Sequence, residues 1–540
     1  MSNKNIRALS ERKGLNDNLF ENISELSLKD VVKEEFHELA DRFHLDDSVV
    51  LGTSSFYDFL KPENRNKKVY VCDGTACMTS GTQKSLIKGL EKHINADEIG
   101  HAACLGRCHS NSAFMFNDKT YSAKKKEQLN QIFSKKEYSQ EKKYQTGCNT
   151  TPVLTSPIDD LNDFYALAEE FTNKPQQIID ELKTSNLRGR GGAGFPYWIK
   201  LYTVIKEKAD QKYIVCNADE GDPGAYSDMY LMEHQPHKVL FGMYISGKCV
   251  GADTGVLYIR GEYPDSIRTI RKAIKELTSS KLINDFNFKI IRGQGAYVCG
   301  EETALLNSIE GLRPEVRVRP PYPAQEGLYG KPTVLSNVET FANIHWILKN
   351  SGKAYEDLGT KNSTGTKLVS LDSFFKEPGI YEIEMGTPLD SVLNDFGGGF
   401  TSEVKALQIG GPLGGIVPVE KIKDLTLDFE SLHNNGFLLG HAGFVCIPKD
   451  FPMIRFIEHL MKFTADESCG KCYPCRIGSF RGYEMIKKAR YDDYKIDRQL
   501  FNDLLETLEF GSLCALGGGV PLPVKNALQY FEEELKAFFK

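Results

Sequence analysis

Cysteine placement constrains this chain more than any other feature. Of thirteen cysteines, four stand at 72, 77, 104 and 108, and four at 469, 472, 475 and 514. Cys148, Cys216, Cys249, Cys299 and Cys446 are scattered. The opening residues, MSNKNIRALSERKGLNDN, lack the apolar stretch of a secretory signal. The expected compartment is therefore the cytoplasm, where disulfides are rare. Two quartets of reduced thiols point to two metal centres. Any fold must then bring Cys514 back to a distant triplet, and join two cysteine pairs across a gap of 26 residues.

In 466-DESCGKCYPCRIG-478, Cys469, Cys472 and Cys475 cannot all point at one centre from a straight helix. Gly470 and Pro474 loosen the backbone into a wrapping loop. Cys514, in GSLCALGGG, is the only later cysteine and supplies the fourth ligand, with Gly511, Gly517, Gly518 and Gly519 allowing close backbone approach. Lys471 and Arg476 can offset cluster charge. Structural zinc usually takes two separated pairs of ligands, so three plus one fits a [4Fe–4S] cluster better; zinc and free thiols are the alternatives. Cys72-DGTA-Cys77 and Cys104-LGR-Cys108 are two close pairs, suited to [2Fe–2S] with two thiolates per iron. Zinc is the stronger rival there, and disulfides a weaker one.

A mass of 60.6 kDa exceeds what one core supports, so several domains are expected. A formal charge of −6 argues against nucleic-acid binding, and no apolar run is long enough for direct membrane insertion. The pattern divides into a helical N-terminal extension (1–60), a small α/β unit (61–136), a linker (137–152), a long α/β domain (153–345), a β-rich domain (346–440) and a helical region (441–540). Within the second unit KKVYVC and SAFMF read as strands, and TSGTQKSLIKGLEKHI as a helix capped by Thr79 or Ser80. In the fourth, YIVCNA, GVLYIR and FKIIRG read as strands alternating with helices such as PDSIRTIRKAIKELTSS.

The stretch 187-LRGRGGAGFP-196 contains Gly189-x-Gly191-x-x-Gly194. A dinucleotide fingerprint needs a strand before it, yet PQQIIDELKTSNL reads as helix. Glycine N–H groups and a following helix N-terminus can still bind phosphate, with Arg188, Arg190 and Lys200 adding positive charge. A tight helix–helix turn is the bland alternative. Two acidic stretches, 217-NADEGDPGAYSD-228 and 297-YVCGEETALLNSIEG-311, offset that charge. Asn217, Asp219, Glu220 and Asp222 follow a strand, where α/β proteins place ligand contacts, and Gly300-Glu301-Glu302 opens a helix. The bland account is a solvated loop plus helix-dipole carboxylates.

Nicotinamides move electrons in pairs and iron–sulfur clusters singly, while a flavin does both. With LRGRGGAGFP, NADEGDPGAYSD, the segment from GAYVCGEETALL to LSNVET, ESCGKCYPCR and SLCALG in this order, residues 153–540 resemble the flavin-bearing, NADH-oxidising subunit of respiratory complex I and its relatives in NAD-linked hydrogenases and formate dehydrogenases. The front unit resembles the thioredoxin-like [2Fe–2S] domain that accompanies this subunit. The resemblance implies an α/β multidomain fold: thioredoxin-like domain, Rossmann-like FMN domain, ubiquitin-like β-grasp domain and C-terminal helical bundle with an iron–sulfur cluster. It implies FMN against Gly189, Arg190, Gly191, Gly192, Gly194, Lys200, Asn217, Asp219, Glu220 and Asp222, with Asn337 and Thr340 on the phosphate side. It puts Tyr297, Gly300, Glu301 and Glu302 near flavin and nicotinamide, with the two glutamates orienting the substrate NAD(H) or NADP(H). Phe195 would stack on adenine, and Arg319 stands where relatives often carry Lys. Asp222 replaces a usual Glu and Ser336 a frequent Asn, and GDPGA points to the hydrogenase and formate dehydrogenase branch. That branch includes electron-bifurcating enzymes using ferredoxin. The partners implied are a small thioredoxin-like [2Fe–2S] subunit and an iron–sulfur-rich catalytic subunit. The NADH-input subunit of complex I is the alternative, and a zinc-stabilised, non-redox nucleotide-binding protein is the alternative of another class.

Overall fold

The computed structural model describes residues 14–29, 33–134, 144–171 and 173–540. Its front sheet comprises β1 (Val69–Cys72), β2 (Ile99–Ala102), β3 (Ala113–Phe116) and β4 (Lys119–Ser122), in the order β2-β1-β3-β4. The β1/β2 pair is parallel and the others are antiparallel. Helices Gln83–Leu90 and Lys126–Phe133 bury Leu86, Leu90, Leu129 and Ile132 against Val69, Val71 and Phe114. The first of them starts later than its sequence suggests. A short helix, Thr75–Thr79, ends where a cap was expected, left-handed Gly81 (φ 68°) breaks the chain, and Thr82 takes the N-cap position.

The central unit holds a four-stranded parallel sheet of β6 (Tyr213–Ala218), β7 (Thr254–Ile259), β8 (Asn287–Arg292) and β9 (Thr333–Asn337), ordered β8-β7-β6-β9. The chain winds outward from β6 through β7 to β8, then returns to the other side of β6. The order thus reverses between β6 and β9, and at such a reversal an open α/β sheet leaves a crevice beyond the strand C-termini. Both faces of a parallel sheet need cover. Helices Pro236–Val250 and Val338–Asn350 bury one face.

The other face explains residues 14–60. Helices Leu19–Ser27, Lys33–Arg42 and Asp47–Ser54 pack together, the first and third capped by Asn18 and Asp46. Residues 30–32, between the first two of these helices, lie outside the described residues. Phe20, Tyr57 and Leu60 then join Val215, Val256, Tyr258 and Ile291 of the central sheet in one apolar layer with Leu305 and Ile309. Asn18 Nδ2 donates to Ile309 O at 2.7 Å, and the Tyr57 and Ser308 hydroxyls lie 2.7 Å apart. This segment is a covering layer of the central sheet rather than an appended extension.

A six-stranded sheet is built from β5 (Gln145–Cys148), β10 (Thr366–Leu371), β11 (Gly379–Glu384), β12 (Val404–Ile409), β13 (Gly415–Pro418) and β14 (Gly443–Pro448). Its order is β13-β12-β14-β10-β11-β5. Two of these strands lie outside the β-rich span of 346–440. Gln145–Cys148, inside the stretch read as a linker, pairs parallel with β11 at the edge, whereas residues 137–143 lie outside the described residues. FVCIP, assigned by sequence to the helical region, sits centrally between β12 and β10. In the tail, helices Met453–Asp466, Phe480–Tyr491, Arg498–Gly511 and Pro521–Tyr530 enclose Ile457, Leu460, Ile486, Leu505 and Val524. Among the described residues no helix is long and apolar enough to cross a membrane.

Because Phe20 is fully buried against the central sheet, Phe20→Ala should cost about 3–5 kcal/mol. Denaturant unfolding followed by tyrosine fluorescence should show an earlier first transition; an unchanged midpoint would contradict the covering role.

Candidate functional site

The glycine loop is a tight excursion, closed by Gly189 N–H donating to Phe195 O at 2.8 Å and Tyr197 N–H to Leu187 O at 2.9 Å. A helix, Pro175–Thr184, precedes it and another, Tyr197–Lys206, follows. The loop lies at the reversal point. Arg190 N–H donates to Thr340 Oγ1 at 2.9 Å, and a Cβ on Gly191 would stand 3.0 Å from Asn337 Cβ. Gly192 (φ 110°) adopts a backbone that side chains disfavour, against Gly440 of the β-grasp unit. Asn337, at the end of β9, caps helix Val338–Asn350 by accepting from Glu339 N–H and Thr340 N–H.

Arg190 carries the strongest sign of a ligand. Its guanidinium is buried and donates from Nη2 to the Tyr355 hydroxyl at 2.9 Å and to Thr364 O at 2.6 Å, while Nε and Nη1 have no partner. Buried charged donors without acceptors are costly. An anionic group cradled by Gly191 and Gly192 would satisfy them, so the residues present fit a phosphate-bearing cofactor such as FMN.

Facing the loop, Asn217 Nδ2 donates to Gly300 O at 2.8 Å and Tyr297 Oη donates to Asp222 at 2.6 Å. Tyr297 N–H donates to Glu467 of the helical tail at 2.7 Å. Glu301 caps helix Glu302–Ile309 through Thr303 N–H and Ala304 N–H, both at 2.9 Å, and its Oε1 makes no hydrogen bond. Glu302 sits between Lys200 (3.2 Å) and Arg319 (2.9 Å), and Lys200 also donates to Leu335 O at 2.9 Å. Phe195 is half exposed at the rim. Glu220 and Asp228 are buried and burial pushes the Asp219 carboxyl up to about 8, so the first acidic stretch is not a solvated loop.

Glu220 departs from expectation. Its carboxylate accepts from Asp228 N–H, Met229 N–H, Ser227 Oγ and Tyr263 Oη at 3.0–3.2 Å, which engages it with the start of helix Ser227–His234 rather than leaving it open to a cofactor. Beside it stands His441, a residue with no sequence signal, since only folding brings its loop to the acidic stretch. His441 Nδ1 is 3.6 Å from Glu220 and Nε2 3.3 Å from Asp228, whose other partner is Asn337 Nδ2 at 2.6 Å. The three side chains are close enough to surround a metal ion. However, N–H and O–H donors already fill the Glu220 oxygens, so the arrangement is an imidazolium between two carboxylates. Burial and the Lys367 charge oppose that proton, but Asp228 and Glu220 outweigh them and raise the imidazole to about 9.

Both quartets assemble. Cys469, Cys472, Cys475 and Cys514 meet beside Val298, Ala304, Val316 and Leu516. Left-handed Gly470 (φ 80°) turns the triplet, and a Cβ on Gly517 would stand 2.7 Å from Cys475 Cβ. Burial pushes Cys475 up to about 11 and Cys514 up to about 12, so thiolates there need a cationic partner, as a cluster provides. In the front unit Cys72, Cys77, Cys104 and Cys108 are all buried free thiols, with Cys104 and Cys108 sulfurs 3.8 Å apart. One small cavity is lined by Ala103, Asp219, Tyr297 and Glu467. The two quartets therefore flank the same acidic loop and tyrosine.

A phosphate cradle together with two thiol quartets defines an iron–sulfur flavoprotein, an oxidoreductase of the NAD(P)H type. The family model described as "Nuo51 FMN-binding domain" matches residues 182–346. The "NADH-ubiquinone oxidoreductase-F iron-sulfur binding region" matches 455–538, and the "Thioredoxin-like [2Fe-2S] ferredoxin" 22–137. The chain is 41% identical over 394 residues to the NADP-reducing hydrogenase subunit HndC of Solidesulfovibrio fructosivorans, covering 70% of this chain and 80% of that one. It is 37% identical over 403 residues to an NADH-quinone oxidoreductase subunit of Escherichia coli K12, covering 72% and 90%. A crystal structure of NAD+-reducing [NiFe]-hydrogenase in the H2-reduced state aligns at TM-score 0.86 and 26% identity, over 97% of this chain and 92% of the other. The chain belongs to the family of flavin-bearing NADH-oxidising subunits shared by complex I and hydrogenases. Its cofactors are FMN, [4Fe–4S] and [2Fe–2S], which sets aside the zinc and non-redox readings.

A raised folded-state value means that the His441 contribution to stability is complete below its ordinary 6.5 and lost as pH rises through about 9. The melting temperature should fall across that window, and His441→Gln should flatten this part of the profile. An identical slope in the variant would contradict the assignment.

Proposed function

We propose that this protein is the cytoplasmic diaphorase subunit of a hydrogenase or formate dehydrogenase complex. The observation that carries this reading is a buried Arg190 whose Nε and Nη1 lack acceptors, in a chain whose two cysteine quartets flank one cavity lined by Asp219 and Tyr297. When bound, the flavin exchanges hydride with the nicotinamide and passes electrons singly to iron–sulfur clusters. The protein supplies geometry and water exclusion. Arg190, Gly191 and Gly192 hold the phosphate, with Asn337 and Thr340 shaping the floor beneath it. Asn217 and Gly300 join the two acidic stretches, and Asp222 fixes the Tyr297 hydroxyl. Glu301 holds the start of its helix, with Oε1 3.5 Å from Arg319, and this pair orients the nucleotide. Glu302, poised by Lys200 and Arg319, accepts hydrogen bonds from the nucleotide, and Phe195 offers the adenine an exposed face.

The Cys469 quartet forms the outlet. Around it Tyr473, Ile477, Phe480, Phe510 and Leu513 are exposed, Phe510 to 82%. Large apolar groups clustered at a redox outlet support docking of a further iron–sulfur subunit. The fused front unit supplies the small [2Fe–2S] component in cis. The GDPGA sequence and the similarity to a hydrogenase over almost the whole chain favour the hydrogenase branch, with ferredoxin as an additional partner.

Anaerobically purified protein should contain flavin, about six irons and no stoichiometric zinc, and NADH or NADPH should bleach the flavin. Iron-free protein that binds zinc would overturn the reading. Removing the Glu302 charge, as in Glu302→Gln, should raise the KM for the nucleotide about 10- to 100-fold, the worth of a charged hydrogen bond, with FMN content unchanged. Loss of FMN instead would move Glu302 to the flavin itself. Cys514→Ala should abolish the [4Fe–4S] EPR signal while leaving nucleotide-dependent flavin bleaching intact.

A further inference from the structure

Arg260 has no part in the nucleotide chemistry above, yet it is the most fully engaged charge between the front and central units. It follows β7 directly and is buried. Nη1 donates to Glu220 O at 2.5 Å, and Nη2 donates to Cys104 O at 2.9 Å and to Glu262 Oε1 at 2.8 Å. One guanidinium thus grips the backbone of the flavin-side loop and the backbone of a cluster ligand. The cluster loop rests on this platform. Left-handed Gly106 (φ 66°) lies so close to Tyr263 that a Cβ would stand 2.7 Å from its ring, and Arg260 sits 4.9 Å from the same ring. Glu262 is as deeply buried, and its Oε2 has no hydrogen-bond partner.

We infer that the Arg260–Glu262 pair sets the reduction potential of the [2Fe–2S] centre from the flavin side, with Arg260 as the positioning residue that ties Cys104 to the Glu220 loop. The inference rests on the reading of the front quartet as a [2Fe–2S] site. Reduction adds one negative charge to a buried cluster, and nearby charges and hydrogen bonds tune that step. At low dielectric a single charge within several ångströms counts heavily. The guanidinium favours the reduced cluster. Glu262 opposes it and reaches the cluster loop through that guanidinium. The two neutralisations, of which Glu262→Gln is isosteric, must therefore move the potential in opposite directions, whereas loss of mere packing would not.

The test is anaerobic potentiometric titration of the full-length protein, following the [2Fe–2S] and [4Fe–4S] EPR signals separately. At the wild-type midpoint, Arg260→Gln should reduce the ratio of reduced to oxidised [2Fe–2S] about tenfold or more. Glu262→Gln should raise it by a similar factor, Arg260→Lys should lie nearer wild type, and the [4Fe–4S] midpoint should stay in place. Shifts of the same sign, or none, in two loaded variants would overturn the inference. If Arg260→Gln fails to load its cluster, Glu262→Gln decides alone: an upward shift supports the pair's role and its absence refutes it. A wild-type protein without a [2Fe–2S] signal would instead sink the underlying site reading.

Discussion

Several buried charges in this protein find partners across unit boundaries, and the relative placement of its sites depends on them. Glu339, two residues past the phosphate-side Asn337, pairs with Lys367 of the β-grasp sheet, both fully buried. His441 of the same unit sits between Glu220 and Asp228 of the central unit. Glu467 of the helical tail accepts the Tyr297 N–H, and Arg260 spans central and front units. Removing one partner of such a buried pair typically costs about 3–5 kcal/mol. Separating the units would strand several charges together, so the spacing of cradle and quartets is held by electrostatics as well as by apolar packing.

Within that frame, strand order decides where the nucleotide chemistry lies. The reversal between β6 and β9 opens a crevice that no local motif specifies. The glycine loop reaches it from between two helices rather than from a strand, yet achieves the usual result of exposed N–H groups beside a helix start. The acidic residues opposite divide their roles. Asp222 accepts from the Tyr297 hydroxyl, Glu302 pairs with Lys200 and Arg319, Glu301 caps a helix, and Glu220 anchors another helix.

Much of this was legible in sequence because the chemistry is local. The C-x2-C-x2-C triplet, both front pairs, the glycine loop and the strands YIVCNA, GVLYIR and FKIIRG all carry their signal within a dozen residues. Misreadings arose where a segment's role depends on a distant partner. QTGC is too polar to announce a strand, yet it pairs with β11 because that edge was open. FVCIP read as the start of the helical region, since a short apolar run does not reveal which sheet will take it. The N-terminal helices read as an appendage, although their apolar faces serve a sheet two hundred residues away.

The sequence by itself determined the two thiol quartets, because ligand type and spacing are covalent properties of the chain, while FMN followed from resemblance to a family. It also determined the unit types and the family, through five motifs in order. Only the tertiary structure decided that residues 14–60 seal the central sheet, that Glu220 is turned to His441 and Asp228, and that Arg260 links a cluster ligand to the flavin-side loop. These depend on which buried groups meet at long range, where a charge or apolar face must be matched by whatever the fold brings opposite it.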